Sequence, residues 1–132
     1  MFRKTLFQNS FITIEMDITT DILFVNWTGE QTEETVKEGC SQMLDQVQLN
    51  KTRKVFNDNS EVVGNWSGAA EWGAKVWFPA MYAAGCQFFA WVLSKELYSQ
   101  LSTQETLKYQ IAGIIILNFE EREPALNWLT IM

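Results

Sequence analysis

The chain has 132 residues, 47% of them hydrophobic and 14% aromatic, enough apolar surface to offset the entropy lost on ordering one domain and to argue against intrinsic disorder. Ten Lys and Arg stand against 16 Asp and Glu, giving a formal net charge of -6 and a pI near 4.6. Such a balance repels phosphate backbones and anionic headgroups, so nucleic acid is not an expected partner; nor is stable membrane insertion expected, no apolar run, residues 114–117 included, being long enough to cross a bilayer.

Residues 1–9 reach polar side chains before an apolar core of an export signal can form, and cytoplasm is the expected location. Two cysteines, Cys40 and Cys86, are too few for the stapling usual in small secreted domains, so both are read as reduced and buried. No internal repeat or low-complexity linker interrupts the chain, which is read as one domain over residues 1–132.

Residues 2–7 offer a short edge segment. Ile12, Ile14 and Met16 then alternate onto one face of a strand, and residues 22–28 form a second run rich in β-formers. The polar ends of residues 17–21 allow a turn between them, predicting an antiparallel hairpin. After Gly29 the period changes from two to about 3.6. Val36, Gly39, Cys40, Met43, Leu44 and Val47 share one side of a helix over residues 32–48, with Thr32 as N-cap and Glu33 and Glu34 in the first turn, where carboxylates suit the helix dipole. Residues 53–57 predict a short strand, followed by a polar connection from Asp58 to Asn65.

A second helix is expected from Ser67 toward Phe78, with Pro79 kinking or ending it and Gly85 supplying the break. Residues 87–93 are almost unbroken in apolar character, as in a strand covered on both faces. Ser94 is the expected cap of a third helix carrying Leu97 and Leu101. Residues 114–119 predict the last strand. A final helix from about Glu121 carries Ala125, Trp128 and Leu129 at helical spacing, with Pro124 tolerated in its first turn. The expected architecture is α/β: a mixed sheet of about five strands, beginning with the hairpin and continuing in βαβ units, flanked by about four helices.

The chain contains no histidine, which removes the commonest general base and most zinc or non-haem iron sites. Its seven glycines form neither GxGxxG nor GxxxxGK[ST], so no nucleotide loop, cofactor or metal site is expected. Glu120, Glu121 and Glu123 are read as helix-start carboxylates. Carboxylate catalysis has one candidate, Asp58, flanked by Asn57, Asn59 and Ser60 where open α/β sheets place their sites; a turn capping its own backbone explains the same residues. The anomaly is the second helix. It carries Trp66, Trp72, Val76, Trp77, Phe78, Met81 and Tyr82 with only Glu71 and Lys75 charged. At roughly 100° per residue, Trp66, Gly73, Trp77 and Ala80 share one side while Trp72, Val76 and Pro79 lie on another, more than one sheet-facing stripe can hide. Trp66, Trp72, Trp77, Phe78 and Tyr82 are therefore candidates for a surface that meets a protein partner or a second copy, or for the wall of a pocket holding a small apolar or lipid-like ligand. Trp72 is expected on the outer side, partly exposed.

Trp27-Thr28-Gly29, Val55-Phe56-Asn57-Asp58, Gly64-Asn65-Trp66-Ser67, Pro79, Gly85, Phe89-Ala90-Trp91-Val92 and Ala125-Leu126-Asn127-Trp128-Leu129 together resemble the small bacterial STAS-like proteins of the SpoIIAA-like fold. The resemblance spans nearly the whole chain. It implies a mixed sheet flanked by helices and a non-catalytic regulatory or binding role; relatives of that fold include anti-sigma-factor antagonists, transporter tails and domains grouped with Sec14-like lipid carriers. The antagonists carry a phosphorylatable serine in an Asp-Ser-Ser-Gly-like turn. The corresponding segment here is Asp58-Asn59-Ser60-Glu61-Val62, which differs in having Asn59 after Asp58 and no glycine after Ser60. Ser60 is the candidate that position implies. Ser67, at a helix start where phosphate would meet the positive dipole end, is a second, and N-capping explains Ser67 more simply.

Overall fold

A computed structural model describes residues 2–132; Met1, the first residue of the expected 1–132 domain, lies outside the described residues. Among the described residues, six strands form one mixed sheet in sequential order: β1 (Arg3–Gln8), β2 (Ile12–Asp17), β3 (Ile22–Glu30), β4 (Lys54–Val63), β5 (Phe88–Val92) and β6 (Ile115–Phe119). The first three are antiparallel neighbours, whereas β3 to β6 run parallel and are joined through helices. The sixth strand beyond the expected five is β1, the edge segment, which pairs along β2.

Helix α1 (Glu33–Asn50) starts where expected. The Thr32 hydroxyl accepts from the Thr35 amide while the Thr35 hydroxyl accepts from the Thr32 amide, so two otherwise orphaned donors are satisfied reciprocally. Helix α2 covers residues 67–83 and is composite: a 3-10 turn (Ser67–Ala69), an α turn (Ala70–Trp72), a π turn (Gly73–Trp77) and an α segment (Phe78–Ala83). Pro79 neither ends nor breaks it. In the π turn the Phe78 amide reaches back to the Gly73 carbonyl, and that widened ladder precedes the residue with no amide hydrogen to give. Helices α3 (Leu97–Leu107) and α4 (Arg122–Ile131) complete the fold.

Strand alternation divides the core in two. Leu23, Val25 and Trp27 of β3, with Val55, Phe89 and Trp91, pack beneath Cys40, Met43 and Val47 of α1 and Trp77, Phe78 and Met81 of α2. Ile22, Phe24, Phe56, Ala90 and Val92 point the other way and meet Ala125 and Leu129 of α4. Three parallel crossovers advancing in one direction along a sheet place their helices on one face when they share a hand, leaving only the terminal helix for the other.

Three expectations are corrected. The connection from Asp58 to Asn65 is mostly strand: β4 runs to Val63 and repairs its pairing with β3 through a bulge, Asn26 opposite Asp58 and Thr28 opposite Glu61, so that Trp27 faces both Asn59 and Ser60. Ser94 does not cap α3. Its hydroxyl donates to the Val62 carbonyl, and the Glu96 carboxylate caps instead, accepting from the Tyr98 and Ser99 amides. Finally, α3 is turned inside out relative to its hydropathy: Ser99, Ser102, Thr103 and Thr106 are buried, while Leu97 and Leu101 are exposed.

Candidate functional site

The face under α1, α2 and α3 encloses a cavity of about 40 Å³. Its sheet side is Trp27, Asn57, Asn59, Phe89 and Trp91. Trp66, Trp72, Trp77 and Phe78 of α2 and its approach close it from above; Val36, Cys40 and Met43 of α1 flank one side and Thr106 of α3 another. The surface is almost wholly apolar and carries no Asp, Glu, Lys or Arg.

Aromatic rings set its shape. Trp66 stacks on Trp91 with centroids 6.2 Å apart, Phe78 meets Phe89 edge-on at 5.0 Å, and Trp77 meets Phe78 edge-on at 4.7 Å. Edge and offset geometries of this kind are those the ring quadrupoles favour. The indole donors are tied down one by one. Trp27 Nε1 donates to Asn57 Oδ1 at 2.9 Å, Trp66 Nε1 to Ser99 Oγ at 3.1 Å, and Trp77 Nε1 to the Cys40 carbonyl at 2.7 Å. Asn57 in turn donates to Asn59 Oδ1 at 3.1 Å. Trp91 breaks the pattern: it is 5% exposed, and its buried Nε1 has no hydrogen-bond partner among the described residues. A buried donor left unmet costs about 1–3 kcal/mol.

Cys40, on the cavity wall, is buried, and burial pushes its thiol well above the ordinary range. Cys86 is pushed up to about 12 by the same cause, partly countered by a hydrogen bond with the Phe88 backbone. Both are thiols, not thiolates, at neutral pH, and so are poor nucleophiles.

Of the residues singled out in the sequence, Trp66, Trp77 and Phe78 are buried and Trp72 is partly exposed at the cavity edge, with Lys37 Nζ 5.7 Å above its ring. The inner and outer stripes of α2 fall as the spacing predicts, Gly73 and Trp77 inside, Val76 and Pro79 outside. Tyr82 is exposed and does not line the cavity; it packs its ring over Gly113, where a Cβ would come within 2.9 Å. The polar quartet separates. Being strand residues, Asn57 and Asn59 point into the cavity face while Asp58 and Ser60 point to the α4 face. There Arg122 Nε pairs with Asp58 Oδ2 at 2.6 Å, Arg122 Nη2 donates to Ser60 Oγ at 3.1 Å, and the Ser60 amide donates to Asp58 Oδ1 at 2.8 Å. The start of α2 is held by Asn65 Oδ1, which accepts from both the Ser67 amide and its hydroxyl, so Ser67 is not the cap.

Trp27 and Trp91 enter the sequence reading only through the fold resemblance and not as candidate site residues. Both sit in strands whose neighbours are core residues, and only the pairing of β3, β4 and β5 brings them opposite α2.

This geometry defines a class: a mixed α/β sheet protein with three helices over an aromatic cavity on one face and one helix on the other. No protein-family model matches the chain, and no curated protein matches it. Among solved structures it is similar to an uncharacterised protein of the DUF3478 family with a SpoIIAA-like fold from Shewanella loihica PV-4, 20% identical, the match covering 94% of this chain and 98% of that one with a TM-score of 0.55. The chain has the SpoIIAA-like fold that its residues resemble.

Proposed function

We propose that this is a binding domain, not a catalytic one, that holds a small molecule in the cavity between β3–β5 and the helices α1–α3. The observation that supports the reading most is the convergence of five tryptophans, Trp27, Trp66, Trp72, Trp77 and Trp91, on one apolar space. Largely apolar pockets with a few placed polar groups are the usual form of small-molecule sites. The groups that catalysis would call on are committed elsewhere. Asp58 is engaged by Arg122 and the Ser60 amide on the opposite face, and the cavity thiol is held protonated. The aromatic residues of α2 turn mostly inward, which favours a ligand over a partner as what they meet.

The test is native mass spectrometry on gently purified protein, followed by thermal melts with small neutral solutes. A co-purified mass, or a melting point that rises with solute concentration as binding to the native state requires, is expected. Protein that stays empty and is stabilised by none of them refutes the reading.

A second reading, association with a partner protein or a second copy, is favoured by a different surface: Leu97, Tyr98 and Leu101 on the outer face of α3, exposed by 61%, 61% and 48%. Sedimentation velocity of wild type and a Leu97→Ser, Leu101→Ser double variant tests it. A strictly monomeric wild type that recovers no partner argues against it.

A further inference from the structure

We infer that the cavity selects an uncharged ligand carrying one hydrogen-bond acceptor, taken by Trp91 Nε1, and that Trp72 is where it enters. This rests on the ligand-binding reading above and adds the chemical class.

Three observations carry it. First, no side chain lining the cavity is charged, so an ion brought there would lose its hydration with nothing to replace it. Carboxylates, ammonium groups and phosphates are excluded from the interior; a lipid-like ligand fits only through an uncharged part. Second, the lining indoles that are fully buried are all satisfied except that of Trp91. Trp27, Trp66 and Trp77 each give their hydrogen to the protein, so the one buried indole donor left is a vacancy that a carbonyl, ether or hydroxyl oxygen or a nitrile nitrogen would meet. Third, Trp27, Trp66, Trp77 and Trp91 are exposed by no more than 5%, whereas Trp72 alone among the lining tryptophans is partly exposed. That partial exposure is what places the entrance at Trp72. At about 40 Å³ the space takes about three or four waters, or a molecule of a few heavy atoms, since one water needs roughly 10–15 Å³ by this measure. Anything larger enters only as far as Trp72 moves aside.

Acetone, acetate and isobutene share a flat four-atom skeleton and differ in the two properties at issue, acceptor and charge. Each is titrated into ¹⁵N-labelled full-length protein while the indole resonances are followed, that of Trp91 being assigned by its loss in Trp91→Phe. Acetone is expected to shift the Trp91 indole saturably. Acetate is expected to give no saturable shift at tenfold the acetone midpoint. In Trp91→Phe, acetone should bind about 5-fold more weakly, the worth of one neutral hydrogen bond, and isobutene no more weakly than in wild type. In Trp72→Phe, exchange of acetone should be faster at a similar midpoint. Equal binding of acetate and acetone overturns the charge selection. Saturable binding of isobutene with no effect of Trp91→Phe on acetone overturns the acceptor assignment but leaves the ligand-binding reading standing. If none of the three perturbs any lining indole, a trapped water satisfies Trp91 and both readings fall. If Trp91→Phe does not fold, the Trp91 indole is assigned instead from its through-space contacts with the rings of Trp66 and Phe89, and wild-type isobutene binding as tightly as acetone overturns the acceptor assignment.

Discussion

Gly39 lies on the inner side of α1, and a Cβ built there would come within 2.2 and 2.5 Å of the Trp27 ring and 3.1 Å of Ile12. In an exposed helix Gly→Ala stabilises by about 1 kcal/mol. Here that gain is opposed by overpacking, which costs roughly 1–3 kcal/mol in a well-packed core. The ring cannot simply rotate away. Its Nε1 is bonded to Asn57 and it stacks on Phe11 at 6.2 Å, so yielding would sacrifice a buried hydrogen bond worth about 1 kcal/mol as well. Adding the terms, Gly39→Ala should destabilise by about 1–3 kcal/mol and shift the Trp27 indole resonance. Gly73→Ala is the control. Its Cβ would meet only Thr106 Cγ2, at the ordinary distance of 3.7 Å, so the propensity gain should survive and the variant should be neutral or up to ~1 kcal/mol more stable. Urea unfolding followed by tryptophan fluorescence and by circular dichroism measures both. A Gly39→Ala protein as stable as wild type or more so would show that α1 is not held against the sheet as closely as these distances state.

Trp72→Ala should cost less than the roughly 3–5 kcal/mol of a core tryptophan, because the ring is partly exposed, and urea melts at the full core cost would show that it supports the core instead of closing its edge. Arg122→Ala removes the ion pair of Asp58, itself 5% exposed, and should destabilise by about 1–2 kcal/mol, discounted from a fully buried pair because Arg122 is solvated; the loss, checked by melts at low and high salt, should shrink in the latter. Glu96 ties the Gly64 amide at 2.6 Å to the first turn of α3 and caps that turn, and the Gly64 hydrogen bond foremost holds its carboxyl below the ordinary glutamate range. A group with a depressed folded pKa contributes stability that is present above its unfolded value of about 4.3 and lost as pH falls through the folded value, so Glu96→Gln should differ from wild type at pH 7 and converge with it in acid. Urea midpoints across pH 2.5–7 that keep a constant gap would contradict that assignment.

Much of the scaffold was legible because local chemistry and tertiary demand agree: the hairpin, the Thr32 cap, the doubly buried β5, and Ala125 and Leu129 on α4. Where they disagree, the tertiary demand prevailed. Asn57-Asp58-Asn59-Ser60 is turn-prone in isolation, yet β3 offers a strand to pair with, and the bulge opposite Trp27 absorbs the misfit while the Asp58 carboxylate satisfies the Ser60 amide. Helix α3 fits two periodic readings at once, Leu97 and Leu101 at four-residue spacing and Ser99, Ser102, Thr103 and Thr106 at three and four. Hydropathy selects the first as the inner face, but Trp66 presents two donors that need oxygen acceptors, and the hydroxyl face provides them. The candidate site was half visible, through the tryptophans of α2. Its other half, Trp27 and Trp91, lies on strands where an aromatic residue is ordinary, and no local signal separates a cavity wall from a packed core.

The walls of the cavity are not equally firm. On the α1 side a glycine lets the helix press onto Trp27, and Cys40, Met43 and Val47 are buried in apolar contact. On the α3 side the buried surface is hydroxyls, and most of their hydrogen-bonding capacity is spent within the helix: Ser102, Thr103 and Thr106 each donate to the carbonyl four residues earlier. What joins α3 to Trp66 is one bond from its amide to Ser102 and one from its indole to Ser99, each worth about 1 kcal/mol net and each replaceable by water. Burial of three apolar side chains on α1 contributes several times that, at about 1.5–3 kcal/mol apiece for the larger ones. Rigid indole plates leave an irregular gap that they cannot themselves close, and of the elements around it α3 is the least costly to displace. Enlargement of the cavity therefore falls to the side of α3 and Trp72, while α1 and the sheet hold the Trp27–Asn57–Asn59 chain in place.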